Sequence, residues 1–205
     1  MDPMDLARSV EDYAIDLRRR IHQNPELSFK EFETTALIVE ELQDNGLEVV
    51  QWDDFTGAVG LLRGSKPGPT IGLRADIDAL PIQEETDVPY KSKNPGVMHA
   101  CAHDAHAAIL LAVAKLLSNE KDKLAGNVKF IFQPAEETPP GGALTLIEKG
   151  VLENPDVDMM FSLHHATENK SGEIGVHYGQ FLAAADQFIL TLTCKGGGGS
   201  APHKG

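Results

Sequence analysis

The stretch TIGLRADID, residues 70–78, decides the fold, because an apolar strand in it runs directly into two acids. Residues 70–75 are predicted to form the strand, and Asp76 and Asp78 follow at its carboxyl end. A turn rich in glycine and proline precedes the strand, and a long polar loop follows the two aspartates. The stretch is therefore a buried strand whose end presents carboxylates.

Strands and helices alternate outward from this stretch. Apolar residues at helical spacing predict four helices, at residues 5–22, 30–45, 104–117 and 143–149. Short apolar runs predict strands at residues 47–50, 58–62, 128–132 and 157–163, the first two as a hairpin. Such alternation is typical of an α/β fold with a mostly parallel sheet flanked by helices.

The end of the chain differs from the rest. Residues 172–178 and 187–193 are predicted as strands, and four glycines then precede Ser200. A boundary is predicted in this region, with one domain at residues 1–180 and the start of a second at 181–205.

Two other strands also end in polar residues. Residues 128–132 lead into QPAEE at 133–137, and residues 157–163 lead into His164 and His165. Ligands of open α/β sheets bind at the carboxyl ends of strands. If these strands are parallel, the polar groups after them converge on one place.

The types of these side chains suit a metal ion. His99, Cys101 and His103 precede the helix at 104, where Asp104 is predicted as the cap, and His106 lies in its first turn. Thiolate, imidazole and carboxylate are ligands of Zn²⁺ and neighbouring metals. Cys101 and His103 are two positions apart, so they either approach one site or flank two.

Glu136 and Glu137 form the most informative pair. Adjacent residues of an extended chain point in opposite directions, so one acid can bind metal while the other faces substrate as a base. Adjacent acids are common by chance, and the interpretation depends on their convergence with the other segments.

Structural roles compete with these functional ones. Asp76 and Asp78 could equally cap a loop, and His106 could be an ordinary helix residue. Three other histidines are predicted to be structural or on the surface: His22, His99 and His177.

Composition excludes several classes of protein. The 205 residues are 41% hydrophobic and 24% charged, with a net charge of −13, so a globular chain is expected and nucleic acid or an anionic membrane is not expected as a partner. No apolar run approaches about 20 residues, and the first residues do not resemble a signal peptide. The cytoplasm is the expected compartment, and the two cysteines are expected to be free thiols or metal ligands.

Four motifs together resemble the two-metal amidohydrolases related to aminoacylase. They are RRRIHQNPELSF at 18–29, LRADIDALP at 73–81, HACAHDAH at 99–106 and QPAEE at 133–137. The resemblance covers nearly the whole chain. It is strongest to the branch of hippurate hydrolases, N-acetyldiaminopimelate deacetylases, auxin-conjugate hydrolases and thermophile carboxypeptidases.

The resemblance implies a zinc-peptidase-like catalytic domain with two divalent ions (Zn, Mn, Co or Ni) and the start of a smaller α+β lid. Carried over by motif, Glu136 would be the general base, and the metal ligands would be Cys101, His103, Glu137 and His164. The implied reaction is hydrolysis of the amide bond of an N-acyl amino acid or of a C-terminal peptide bond. A homodimer through the lid is also implied.

The chain departs from that family in three ways. Family members are about twice as long, and their later part supplies a further histidine ligand. Gly198 stands where the lid turn usually carries a substrate-contacting histidine, and Ala102 stands where glycine is usual. The alternatives are a truncated, inactive chain, a non-catalytic protein whose four ligands close one site, and a degenerate homologue or isolated fragment that binds a partner chain.

Overall fold

A five-stranded sheet forms around the stretch at 70–78. The computed structural model describes residues 2–180, 182, 184 and 188–204. The strands are β1 (Glu48–Trp52), β2 (Phe55–Arg63), β3 (Lys66–Asp76), β4 (Ala125–Gln133) and β5 (Met159–Ser162). Their order in the sheet is β1-β2-β4-β3-β5. The predicted hairpin is confirmed as the antiparallel pair β1 and β2.

Four of the five strands point the same way. β3 pairs in parallel with β4 on one side and β5 on the other, and β2 alone runs in the opposite direction. Asp76 at the end of β3 lies opposite Gln133 at the end of β4, and Arg74 lies opposite Ser162 of β5. The carboxyl ends of β3, β4 and β5 therefore meet at one edge, and the predicted mostly parallel α/β sheet is confirmed.

Helices cover both faces of this sheet. They are α1 (Pro3–Arg8), α2 (Glu11–Gln23), α3 (Phe32–Asp44), α4 (His103–Asn119) and α5 (Gly142–Glu148). On one face, buried residues of α2, α3 and α4 pack with Phe130 and Phe132 of β4. On the other face, Ile131 packs with Leu146 of α5. The period-2 alternation along β4 thus divides its side chains between two cores.

The single helix predicted at residues 5–22 is wrong, because the chain breaks after the first two turns. Asp2 accepts a hydrogen bond from the Met4 N–H (2.9 Å), and Pro3 begins α1. The Ser9 hydroxyl then donates to the Leu6 carbonyl (2.6 Å), and α2 begins after Val10. Local hydrogen bonds of Asp2 and Ser9 therefore set apart a short separate helix.

The predicted cap of α4 by Asp104 is also wrong. Ala102 holds the N-cap position, in the left-handed conformation (φ 63°) and without a side-chain hydrogen bond. The buried Asp104 carboxylate instead accepts from Arg18 Nε (2.8 Å) and His22 Nδ1 (2.7 Å). These partners on α2 lie far back in the sequence, and they draw Asp104 away from the helix end.

The chain divides into two units, residues 1–165 and 166–205. Among the described residues of the second unit no strand forms, so the strand predicted at 172–178 is wrong, as is the described part, 188–193, of the later one. Gln187, the first residue of that later strand, lies outside the described residues. Ile174 and Tyr178 are exposed, and a strand requires a hydrogen-bonded neighbour that these residues lack. The boundary at 180/181 and the lid stay predictions.

Among the described residues, no helix is both long enough and apolar enough to cross a membrane.

Replacing Ile77 tests how strongly the end of β3 is anchored. Ile77 is fully buried between Asp76 and Asp78, so Ile77→Ala should lower the free energy of unfolding by about 2–5 kcal/mol. Ile77→Val should cost only about 0.5–1.5 kcal/mol. The measurement is urea denaturation followed by circular dichroism. Ile82→Ala is the control, because Ile82 is 44% exposed. Equal losses for Ile77→Ala and Ile82→Ala would contradict the anchoring.

Candidate metal centre

All five side chains predicted for the site meet at the carboxyl edge of β3, β4 and β5. Three groups of metal-ligating atoms form there, each with its atoms within 4.8 Å of one another, and all three contain His103. One of them is Asp76, His103 and His106. The other two hold the five predicted side chains and are called the ligand groups here: Cys101, His103 and His164, and His103, Glu136 and Glu137. The predicted convergence is confirmed.

The thiol of Cys101 lies 3.5 Å from His164 Nε2. A tetrahedral zinc ion, with Zn–S of about 2.3 Å and Zn–N of about 2.0 Å, separates two such ligand atoms by about 3.5 Å. His164 Nδ1 donates to the His165 carbonyl (2.7 Å), which leaves Nε2 as the nitrogen with a lone pair. The spacing and the tautomer therefore both suit a cation.

Cys101 holds its proton strongly when no cation is present. Burial, and then the hydrogen bond and negative charge of Glu137, raise the pKa of the Cys101 thiol to about 12. Thiolates are the form that binds metals, so a cation at this position would have to displace the proton.

His103 is buried, and one of its two ring nitrogens makes no hydrogen bond within the described part of the chain. Its Nδ1 donates to the carbonyl oxygen (2.9 Å) and the carboxylate (3.2 Å) of Asp78. Its Nε2 has no hydrogen-bond partner in the described chain and lies 3.9 Å from Glu137 Oε1. An unsatisfied buried nitrogen is costly, and a cation between these atoms would satisfy it. The residues present therefore fit a metal ion.

Burial and the neighbouring negative charges have opposite effects on the pKa of His103. Burial lowers the pKa of His103, but the hydrogen bond to Asp78 and the nearby carboxylates raise it above its ordinary value. The carboxylates around this imidazole thus give it an excess of negative charge, which favours a proton or a metal cation there.

Asp78 forms hydrogen bonds with residues of three separate segments, those of Ser28, His103 and Glu137. Its Oδ2 accepts hydrogen bonds from the Ser28 hydroxyl (2.7 Å) and from the Glu137 N–H (3.0 Å). Burial alone would raise the pKa of Asp78, but the bonds from His103, Glu137 and Ser28 hold it well below its ordinary value. Asp78 is therefore an ionised carboxylate that orients both a ligand imidazole and the loop of acids.

His106 has both ring nitrogens engaged. Its Nδ1 donates to Asp76 Oδ1 (2.6 Å), and its Nε2 accepts from the His165 N–H (3.0 Å). Asp76 also accepts from Arg74 Nη1 (2.7 Å). His106 and Asp76 thus connect β3 with the chain next to His164. The sequence did not decide between a structural and a metal-site role for either residue, and their contacts in the folded chain show a structural connection.

The other two buried histidines, His22 and His99, belong to neither ligand group, and their structural role stays a prediction. His22 faces Asp104 through Nδ1 (2.7 Å) and Glu84 through Nε2 (3.2 Å), and the bond to Asp104 is the largest cause of its raised pKa. His99 is 4% exposed, and burial lowers its pKa to about 4. The two carboxylates therefore favour the protonated form of His22, whereas burial favours the neutral form of His99.

The chain belongs to the peptidase family M20/M25/M40. The profile of that family matches residues 72–201, more than half of the chain. The matched residues include both ligand groups and all five side chains of the predicted site.

Relatives of known kind are closely similar to the chain. Thermostable carboxypeptidase 2 of Saccharolobus solfataricus is 47% identical over 199 residues, covering 96% of this chain and 50% of the relative. The N-acyl-L-amino acid amidohydrolase of Geobacillus stearothermophilus is 41% identical over 207 residues, covering 100% and 55%. The chain spans about half the length of the curated relatives it matches.

A solved structure shares the fold, and its sequence identity to this chain is close to that of the two relatives above. It is a Bacillus subtilis protein described as a dinuclear metal-binding peptidase of the M20 family. The TM-score is 0.73 at 42% identity, and the match covers 78% of this chain and 44% of that chain.

Replacing Ala102 by glycine should stabilise the protein. Ala102 is left-handed, and that conformation costs an alanine about 1–2 kcal/mol. Ala102→Gly should therefore raise the free energy of unfolding by roughly 1 kcal/mol, after the added entropy of the unfolded chain is subtracted. Thermal denaturation measures the change.

Ala36→Gly is the matched control. Ala36 is an exposed residue within α3, where glycine should cost about 0.5–1 kcal/mol. Two changes of the same sign would contradict the strain assigned to Ala102.

Proposed function

We propose that this chain is the metal-binding part of a metal-dependent hydrolase that cleaves the amide bond of N-acyl amino acids or C-terminal peptide bonds. The observation that carries the proposal is the pair of ligand groups that both contain His103, one with Cys101 and His164 and the other with Glu136 and Glu137. The names of the similar carboxypeptidase and amidohydrolase, and the dinuclear metal of the similar peptidase, support the same reading.

The proposed centre holds two divalent ions, of Zn, Mn, Co or Ni. Cys101, His103 and His164 supply sulfur and nitrogen to one ion, and Glu137 supplies oxygen to the other beside His103. The mixed sulfur, nitrogen and oxygen donors support borderline metals over Mg²⁺ or Ca²⁺.

Glu136 is the proposed general base. Its side chain is exposed, whereas Glu137 is partly buried against His103, so the two adjacent acids have different surroundings. A bound divalent ion supplies Lewis acidity, which lowers the pKa of water and polarises a carbonyl. Glu136 accepts the proton of the attacking water and returns it to the departing amine.

The substrate, the oligomeric state and the cellular compartment are also proposed. The substrate is a small N-acyl amino acid or peptide, and a homodimer forms through the lid. The cytoplasm is the proposed compartment, supported by Cys101 and Cys194, both free thiols.

Replacing the two acids separately tests their roles. Glu136→Gln should reduce hydrolysis of N-acetyl and N-benzoyl amino acids by about 10²–10⁴-fold, because general-base catalysis is lost. The same variant should keep its metal. Glu137→Gln should lose one ion per chain, measured by elemental analysis after gel filtration.

Three outcomes of this test decide the proposal. Two ions per chain in the unchanged protein, with hydrolysis that depends on Glu136, support it. Hydrolysis unaffected by Glu136→Gln overturns the role of that residue. One ion per chain without hydrolysis favours a closed, non-catalytic site of Cys101, His103, Glu137 and His164, because closed sites are structural.

Metal addition should also stabilise the chain. Zinc at about 100 times its dissociation constant should raise the free energy of unfolding by about 2.7 kcal/mol, and chelation should reverse the gain. Cys101→Ala should remove most of the gain, whereas Cys194→Ala is the control, because Cys194 is exposed and lies outside both ligand groups. Equal gains in both variants would show that zinc binds elsewhere.

A further inference from the structure

Glu31 is a buried carboxylate that none of the roles above uses. It precedes α3, and its side chain is 0% exposed and makes no capping hydrogen bond. One oxygen, Oε2, accepts from the Thr56 hydroxyl of β2 (2.6 Å). The other, Oε1, accepts from the Ala135 N–H (2.8 Å), directly before the two acids of the site.

The burial of Glu31 is unfavourable by itself. Both of its donors are neutral groups, and burial raises the pKa of this carboxyl above its ordinary value. Buried charges without a cationic partner are rare, and an apolar side chain of similar size would avoid the cost. What Glu31 provides and an apolar side chain cannot is an acceptor for the Ala135 N–H.

Ala135 needs such an acceptor because its backbone is strained. It is fully buried and left-handed, with φ at 50°. Its N–H is held by Glu31, and its carbonyl accepts from the Gly142 N–H (3.1 Å). Strained backbone persists only where the surroundings hold it, and these two bonds do so.

The loop of acids is thus held at two successive points. Glu31 accepts the Ala135 N–H, and Asp78 accepts the Glu137 N–H (3.0 Å). Glu136 lies between these two anchors. If the first anchor is lost, Ala135 can leave the left-handed region, and that rotation redirects both Glu136 and Glu137.

We propose that Glu31 is a positioning residue, which holds the Ala135 N–H and so aims Glu136 and Glu137 into the metal centre. The catalytic consequence rests on the function proposed above. The positioning itself rests only on contacts within residues 31–142, and metal-free protein can test it.

Amide exchange in the metal-free chain is the first measurement. Glu31→Gln keeps an acceptor for Ala135 and a group that can bond Thr56, so the exchange of the Ala135 amide should stay within about twofold. Glu31→Leu fills the space without an acceptor, so exchange at Ala135 should become at least about tenfold faster. Core amides such as that of Leu111 report global stability and should change far less.

Thr56→Val is the matched control. It removes the other hydrogen bond of Glu31 and leaves the bond to Ala135, so exchange at Ala135 should stay close to that of the unchanged protein. If Glu31→Leu does not fold, Glu31→Met replaces it, because methionine is flexible enough to fill the space and has no oxygen to accept from the Ala135 N–H. Parallel acceleration of Ala135 and Leu111 would overturn the proposal in favour of a purely structural role.

Cobalt titration is the second measurement. In Glu31→Leu the ion beside Glu137 should bind about tenfold more weakly. The near-ultraviolet thiolate-to-cobalt band of the Cys101 group should be unchanged. Glu31→Gln should restore both sites, and equal weakening of both ions in Glu31→Leu would count against a local role.

The two measurements separate the two proposals. A chain that binds no cobalt contradicts the proposed function, while exchange at Ala135 still decides the role of Glu31. Conversely, a chain that binds two ions and shows no change at Ala135 in Glu31→Leu keeps the proposed function and excludes the positioning role.

Discussion

The hydrogen bond from His103 to Asp78 is the interaction on which the site depends. By taking Nδ1, Asp78 leaves Nε2 as the nitrogen of His103 that has no hydrogen-bond partner among the described residues, and His103 is the residue that both ligand groups contain. The same carboxylate accepts the Glu137 N–H. One side chain just after β3 therefore sets the tautomer of an imidazole and the position of an acid in the loop after β4. Orientation of ligands by such partners is a general property of metal sites.

The convergence of the site could be predicted from the sequence because it follows from strand direction. Polar residues after β3, β4 and β5 meet wherever those strands are parallel neighbours, and that is the arrangement observed. Cys101 and His103 enter the same edge because they directly precede or begin α4, which packs over β3. The family motifs add the individual roles, which strand direction alone does not assign.

What the sequence could not predict depends on partners far along the chain. Asp104 has the residue type of a helix cap, yet its partner His22 is 82 positions away. The partner of His106, Asp76, lies 30 positions away. At 172–178 the alternating pattern matches a strand, but pattern alone does not supply the neighbour that a strand needs. In each case the local sequence is compatible with two structures, and contacts with distant residues determine which of them forms.

The contact of Glu31 with Ala135 has a consequence for how the protein acquires its site. It joins residues 104 positions apart, and His165 contacts His106 across 59. Contacts of such long range form slowly, because loop closure precedes any gain from them. On a growing chain, α3, β1 and β2 are synthesised well before β4, so of the two partners of Glu31 only Thr56 is available at first. The acid loop is then added when β4 inserts between β2 and β3, and we expect metal-binding capacity to be gained late in folding, with closure of the sheet.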